Sequence, residues 1–277
     1  MTAPTEQRRL LDAIATIARD AGRAILEVYG TDFSVTLKDD RSPLTEADRR
    51  AHEIIDAGLR ALDPSVPVLS EEAAPERPEQ RRGWQKFWLV DPLDGTKEFL
   101  KRNGEFTVNV ALVEGHRAVL GVVLAPVLDR LYFGALGLGA WRQDGGGLPE
   151  PIHVARPANV PPRVVGSRSH ESGAVVDYLA ALGPHTITPM GSSLKICLVA
   201  EGAADLYPRL GPTSEWDTAA AQAILESAGG RMIDPSGQPL TYNTKEHLLN
   251  PHFLAFGEQR HDWLAPFQTI RGRQDRN

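Results

Sequence analysis

Residues 88–100 of this 277-residue chain are W-L-V-D-P-L-D-G-T-K-E-F-L, and they decide the predicted fold. The three apolar residues predict a buried strand, which we expect to end at Asp91 because Pro92 fixes φ and has no N–H. Gly95 permits the positive φ that a tight turn needs. Asp91 and Asp94 are thus held on one rigid corner, and such oxygen ligands suit a hard cation such as Mg2+. An ordinary Asp-Pro turn has the same pattern, so this stretch alone leaves both interpretations open.

The composition excludes several classes of protein. The chain is 42% hydrophobic and 24% charged, and its length suits one large or two closely packed α/β domains. No apolar run approaches the ~20 residues of a membrane span, and the N-terminus has no apolar signal core. The single cysteine, Cys197, excludes a disulfide framework or a thiolate zinc site, and the net charge of −6 disfavours nucleic acid as main partner. We therefore expect a cytoplasmic protein without an integral membrane segment.

The first half combines helical and hairpin patterns. Residues 6–29 carry apolar side chains at helical spacing, and Thr45 begins a second helix in a capping arrangement with Asp48. Residues 106–113 and 118–125 predict a β-hairpin. Polar or glycine-rich stretches predict loops and turns at 31–44, 73–83 and 134–147. Asp48 alone is explained by the preference for an acid in a helix's first turn.

The second half alternates strands with helices. Gly191-Ser192-Ser193 precedes a predicted helix at 194–200, where free N–H groups favour an anion. Lys195 and Arg209 add positive charge, although N-cap serines and surface cations explain the same residues. Asp217 suits the N-cap of a helix that runs to Ala228. No G-x-G-x-x-G opens a helix, which excludes a Rossmann dinucleotide site.

A further pair of acids, Glu71-Glu72, follows a predicted strand at 66–69. The pair lies one loop away from Asp91, so these acids can share a site with it.

Together these residues resemble the inositol monophosphatase superfamily of Mg2+-dependent, lithium-sensitive phosphatases. The features are Asp48, Glu71-Glu72, D-P-L-D-G-T at 91–96 and Trp216-Asp217. Further stretches are similar to the bacterial 3′(2′),5′-bisphosphate nucleotidases within that superfamily. They are V-L-S-E-E (68–72), N-G-E-F-T-V-N-V-A-L (103–112), S-R-S-H (167–170), G-S-S-L-K (191–195) and L-Y-P-R-L-G-P-T-S-E-W-D (206–217). One departure is Ala221, which stands where the family usually has glycine.

The resemblance implies a fold of mixed α/β (α+β) class, a layered α-β-α-β-α sandwich. Residues 1–150 would form an N-terminal α+β half with most metal ligands. Residues 151–277 would form a C-terminal α/β half with substrate-binding residues and the last metal ligand. The site would lie between the halves.

The resemblance also assigns roles to residues. Two or three Mg2+ ions would be held by Glu71, Asp91, the backbone carbonyl of Leu93, Asp94 and Asp217. Asp48 and Thr96 would be the catalytic pair that orients and deprotonates water. The substrate would contact Glu71, Asp94, Gly95, Thr96, His170, Ser192, Lys195, Arg209 and Asp217, with Lys97 and Arg168 as extra contacts and Glu72 nearby.

The implied activity is removal of the 3′-phosphate of adenosine 3′,5′-bisphosphate, and the same reaction on its 5′-phosphosulfate analogue. The implied partner is therefore a small nucleotide bisphosphate, and homodimers are frequent in the family. The alternatives are inositol monophosphatase or fructose 1,6-bisphosphatase activity, or a non-catalytic phosphonucleotide-binding module. The aspartyl-phosphate phosphatases need D-x-D-x-T, a spacing that D-x-x-D-G-T does not provide.

Overall fold

The computed structural model describes residues 4–32, 35–37, 43–73, 77–167, 173–258, 260–267 and 270. Helices α1 (Pro4–Tyr29) and α2 (Glu46–Leu62) pack on each other and on one face of a large sheet. The buried stripe of α1 recurs every three or four residues, as its sequence predicts. Its fully buried members are Leu11, Ile14, Ala18, Ala21 and Ile25. Among the described helices, none is both long and apolar enough to cross a bilayer.

The large sheet has seven strands in chain order. They are β3 (Val68–Ser70), β4 (Lys86–Asp94), β5 (Thr107–Glu114), β6 (Arg117–Ala125), β7 (Arg130–Ala135), β8 (Gly139–Asp144) and β9 (Glu150–Pro151). The first pair is parallel and the others are antiparallel. A separate antiparallel pair, β1 (Val35–Leu37) and β2 (Pro43–Thr45), precedes them, and one-turn helices α3 (Pro78–Arg81) and α4 (Thr96–Leu100) flank β4.

A second sheet has five strands. They are β10 (Arg163–Gly166), β11 (Thr186–Pro189), β12 (Leu206–Arg209), β13 (Arg231–Ile233) and β14 (Phe253–Phe256), in the order β11-β10-β12-β14-β13. Helices α6 (Leu194–Ala200) and α7 (Ala219–Ser227) share a core with both sheets, whereas α5 (Gly173–Leu182) packs on the outer face of the second. The layers therefore confirm the predicted α-β-α-β-α sandwich. The boundary between residues 150 and 151 stays a prediction, because α7 packs directly on β6.

The contact between α7 and β6 depends on a glycine. A Cβ added to Gly121 would lie 2.0 Å from the carbonyl oxygen of Ala220. The helix therefore approaches the strand more closely than any larger residue allows. Ala221, the departure from the family pattern, is fully buried in the core between the sheets.

We expect Gly121→Ala to lower the free energy of unfolding by about 3 kcal/mol, the upper end of typical overpacking costs. The methyl group would meet backbone rather than a flexible side chain, so α7 must shift. Thermal denaturation measures the loss, with Gly146→Ala as control because a Cβ at Gly146 meets nothing within 4 Å. Equal melting temperatures for the two variants would contradict this packing.

Three local expectations were wrong. Strand β4 does not end at Asp91, because pairing with β5 resumes at Asp94 after a register shift. The stretch 134–147, predicted to form loops and turns, contains β8, whose Ala140 and Trp141 pair with β7. The predicted loops at 31–44 and 73–83 contain β1, β2 and α3, and Arg81 of α3 is buried against Asn243. Elements β1, β2 and α3 span only three or four residues, too few for a periodic apolar pattern to reveal them.

Candidate active site

The structure brings three of the predicted carboxylates together. One carboxylate oxygen from each of Asp91, Asp94 and Asp217 lies within 4.8 Å of the corresponding oxygens of the other two. Asp91 and Asp94 come from β4, whereas Asp217 comes from the segment just before α7. The cluster therefore joins the first sheet to the second half of the chain.

The irregularity in β4 explains how two acids three residues apart share one site. In a regular strand such residues point to opposite faces of the sheet. The register of β4 shifts between Asp91 and Asp94, a stretch that includes Pro92, which cannot donate to the ladder. The Leu93 N–H donates to Asp91 Oδ1 at 3.0 Å and so fixes this turn of the backbone.

The cluster is electrostatically unfavourable when it holds no cation. Burial raises the pKa of Asp91 well above its usual value, and the charges of Glu71, Asp94 and Asp217 raise it further. Burial likewise raises the pKa of Asp217, with added repulsion from Asp94 and Glu71. Like charges gathered away from water are stabilised by a hard divalent cation, so this donor set fits such an ion.

Asp217 is not the N-cap that its sequence suggests. Thr218 holds that position, and α7 begins at Ala219. The Asp217 carboxylate accepts a hydrogen bond from the Ser214 N–H at 3.0 Å, so it turns back toward the preceding loop. This orientation keeps the side chain in the acidic cluster.

A cavity of about 240 Å³ opens beside the cluster. Its lining includes the acids Asp94 and Asp217 and the cations Lys195 and Arg209. The other lining residues are Gly95, Lys97, Glu98, Ser167, Ser192, Ser193, Ile196, Tyr207, Thr213, Thr218 and Phe253. A site for cations and a site for anions therefore share one space.

Lys195 is buried, in contrast to most lysines. Its ammonium donates to the Ser192 carbonyl at 2.7 Å and lies 5.5 Å from the centre of the Tyr207 ring. Burial lowers the pKa of Lys195 to about 8, although the charge of Asp94 opposes the shift. An anion entering the cavity would restore the interactions that this ammonium loses on burial.

Arg209 and Ser192 line the cavity together with Lys195. Arg209 is held by its own loop, where it donates to the Thr213 hydroxyl and, at 2.6 Å, to the Pro212 carbonyl. Ser192 has a positive φ of 47°, which turns its carbonyl toward Lys195. Gly95, with φ of 96°, makes the predicted turn after Asp94.

Asp48 completes the predicted capping box of α2, in which Thr45 is the N-cap residue. Its Oδ2 accepts the Thr45 N–H at 2.8 Å and the Thr45 hydroxyl at 2.5 Å, and the side chain is buried. Thr96 is half-buried and is the first residue of α4. The pairing of Asp48 with Thr96 stays a prediction, as does the role of the half-buried Glu72.

Two of the expected substrate contacts lie outside the residues that the structure describes. His170 and Arg168 fall within residues that the structure does not describe. Lys97 is exposed at the cavity. Sequence reasoning missed the contributions of Ser193 and Asn109, which hydrogen-bond to Asp94. Both lie inside the stretches similar to nucleotidases, so the signal was present without an assigned role.

Comparisons with known proteins agree with this geometry. The model of the Inositol monophosphatase family matches residues 6–267. This chain belongs to the inositol monophosphatase family. Enzymes of the family are metal-dependent, and Asp91, Asp94 and Asp217 form the acidic cluster that fits a metal in this member.

Individual relatives include bisphosphate nucleotidases as well as an inositol monophosphatase. The chain is 53% identical to the 3′(2′),5′-bisphosphate nucleotidase CysQ of Escherichia coli K12, over 88% of this chain and 98% of that protein. The structure of CysQ from Bacteroides thetaiotaomicron aligns with a TM-score of 0.80 and 44% identity, over 91% and 98% of the two chains. The Thermotoga maritima inositol monophosphatase aligns with a TM-score of 0.76 at 26% identity, over 96% and 99%.

Proposed function

We propose that this protein is a Mg2+-dependent 3′(2′),5′-bisphosphate nucleotidase. It would hydrolyse adenosine 3′,5′-bisphosphate to AMP and phosphate, and the 5′-phosphosulfate analogue in the same way. The observation that carries the proposal is one cavity lined both by Asp94 and Asp217 of the acidic cluster and by the buried Lys195 with Arg209. A bisphosphate needs both environments at once. The similarity to CysQ proteins over nearly their full length supports the nucleotide substrate.

The ligand set would comprise the three clustered aspartates, Glu71 and the carbonyl of Leu93. The inclusion of Glu71 is supported by its charge, which raises the pKa of both Asp91 and Asp217. Two or three Mg2+ ions, when bound, would polarise the phosphate and activate water for an in-line displacement. Glu71, Asp94 and Asp217 would thereby also border the reacting phosphate.

Asp48 and Thr96 would handle the proton of the attacking water. The Thr96 hydroxyl would orient the water, and Asp48 would accept its proton as the bond between phosphorus and the 3′ oxygen breaks. The 3′ oxygen would take a proton from solvent and leave as the 3′-hydroxyl of AMP. The Thr45 N–H and hydroxyl hold the Asp48 carboxylate in place. A positioned acid–base group of this kind contributes about 10²–10⁴-fold to the rate.

The second phosphate would bind beside the two cations that line the cavity. Lys195 and Arg209 would supply charge there, and Ser192 and Gly95 would border the substrate, with His170 contributing from outside the described residues. Lysine binds phosphate as a compact charge, whereas arginine binds it through its planar fork. The two cations therefore suit a dianion that does not react.

The pKa of Lys195 gives a pH test of this assignment. Above pH about 8 the ammonium of the free enzyme loses its proton, so the second phosphate loses a charge partner. We expect kcat/KM for adenosine 3′,5′-bisphosphate to fall by up to about tenfold between pH 7 and 9. The profile of Lys195→Met should lack this alkaline limb. An unchanged limb in that variant would assign the titration to another group.

Two alternatives remain testable in the same experiment. Inositol monophosphatase or fructose 1,6-bisphosphatase activity would use the same acidic cluster, and a non-catalytic module would use only the cavity. We would measure phosphate release with Mg2+ from adenosine 3′,5′-bisphosphate, inositol 1-phosphate and fructose 1,6-bisphosphate. Preference for the nucleotide supports the proposal, and preference for a sugar or inositol phosphate contradicts it. Nucleotide binding without turnover would favour the non-catalytic module.

The location and the oligomeric state stay predictions. We expect a cytoplasmic protein, with peripheral association at the inner membrane face as a variant, and a homodimer.

A further inference from the structure

Ser193 joins the two halves of the molecule at the acidic cluster. Its side chain is buried just before α6, yet it makes no capping bond to that helix. The Ser193 N–H and hydroxyl lie 2.6 and 2.8 Å from Asp94 Oδ2 on the first sheet. The hydroxyl also contacts the backbone carbonyl of Asp217. One residue thus touches both segments that supply the cluster.

Asn109 of β5 completes this arrangement. Its Nδ2 donates to Ser193 Oγ at 2.8 Å and lies 3.4 Å from Asp94 Oδ2. A hydroxyl has one proton and two acceptor lone pairs. Because Asn109 supplies a donor, Ser193 Oγ accepts that bond and directs its own proton to Asp94 Oδ2 or to the Asp217 carbonyl. The bond to an ionised carboxylate is the stronger of the two.

The hydrogen bonds to Asp94 among the described residues all end on Oδ2. Its other oxygen, Oδ1, therefore retains lone pairs for a cation. Groups that hold a ligand side chain in this way set its orientation, and their removal typically lowers metal affinity 10–100-fold.

We propose that Ser193 is a positioning residue that fixes the Asp94 carboxylate, and with it the spacing to Asp217, for cation binding. This inference rests on the metal requirement in the proposed function, but not on the identity of the substrate. The backbone N–H bond to Asp94 survives any side-chain change. The proposal therefore concerns the hydroxyl alone.

The test is calorimetric titration of the full chain with Mn2+ and with Mg2+, without substrate. We expect Ser193→Ala to weaken binding about 10–100-fold. Asn109→Ala should weaken it in the same direction by less, because it leaves both Ser193 donors in place. The matched control is Ser227→Ala, which removes a buried hydroxyl that has no hydrogen-bond partner. It should bind Mn2+ as the wild type does.

Circular dichroism and melting of the metal-free variants separate positioning from folding. A folded Ser193→Ala protein with weakened Mn2+ binding supports the proposal, and so does recovery of activity at high Mg2+. Affinity within twofold of Ser227→Ala would overturn it. If Ser193→Ala does not fold, an unchanged affinity in Asn109→Ala would overturn it instead. A wild-type protein that binds Mn2+ but hydrolyses no nucleotide would refute the proposed function. The inference about Ser193 would be unaffected, because it concerns cation binding alone.

Discussion

Replacing Asp91 with asparagine is expected to abolish hydrolysis and, at the same time, to stabilise the metal-free protein. The substitution would remove a carboxylate from the cation site, where a bound metal stabilises the transition state by several kcal/mol. We therefore expect kcat to fall by roughly 10³-fold or more. Phosphate release from adenosine 3′,5′-bisphosphate at saturating Mg2+ measures this loss.

The stabilisation has an electrostatic cause. Asp91 is buried among Glu71, Asp94 and Asp217, so without a cation its charge opposes folding. Removing that charge should stabilise the metal-free fold by about 1–2 kcal/mol, which raises Tm by roughly 2–8 °C. Addition of Mg2+ should raise Tm of the wild type but change Tm of Asp91→Asn much less.

The pH dependence of this difference has a definite sign. Because the pKa of Asp91 is raised in the folded state, the folded wild type binds more protons than the unfolded chain above pH about 4. The contribution of Asp91 to the stability of the metal-free protein therefore falls as pH rises above about 4. The advantage of Asp91→Asn should be present at pH 7 and shrink as pH falls toward 4.

The control for this variant is Asp177→Asn on the exposed surface of α5. It should change neither kcat nor the response of Tm to Mg2+. Full activity in Asp91→Asn would contradict the site, and a lower Tm of the metal-free variant would contradict the electrostatic explanation.

Replacing Lys195 with methionine is expected to damage bisphosphate hydrolysis selectively. Methionine keeps an apolar stem near Tyr207 but removes the buried ammonium. Loss of one partner from a buried charge pair costs about 2–5 kcal/mol, so kcat/KM for adenosine 3′,5′-bisphosphate should fall roughly 30-fold or more. Adenosine 3′-monophosphate has the same reacting group but lacks the second phosphate that Lys195 would contact, so its kcat/KM should fall much less.

The matched control is Lys86→Ala, whose ammonium forms an exposed ion pair with Glu114 at 3.5 Å. Both substrates should behave with it as with the wild type. Equal losses on the two substrates in Lys195→Met would remove Lys195 from the second-phosphate site. They would leave the acidic cluster unaffected.

Much of the fold could be predicted because its elements carry strong local signals. The apolar spacing of α1, the cap of α2 by Thr45 and Asp48, and the β5–β6 hairpin all have the predicted form. The continuation of β4 past Pro92 could not be predicted, since it depends on pairing with β5. Arg81 is buried through contacts with a segment 162 residues away, which no local pattern shows.

The site shows the same division. The clustering of Asp91, Asp94 and Asp217 follows from motif recognition, because each motif matches a family pattern. Asp217 satisfies the sequence pattern of an N-cap, yet its contact with the Ser214 N–H turns it elsewhere. Ser193 was indistinguishable from an ordinary helix-start serine until its contact with Asp94 placed it at the cluster.

The most direct measurement is identification of the products that the wild type forms from adenosine 3′,5′-bisphosphate, by phosphorus NMR with and without Mg2+. We expect AMP and inorganic phosphate in equal amounts, with Mg2+ and not after its removal by a chelator. Adenosine 3′-monophosphate as the nucleotide product, or release of phosphate that continues without any divalent cation, would contradict the proposed function.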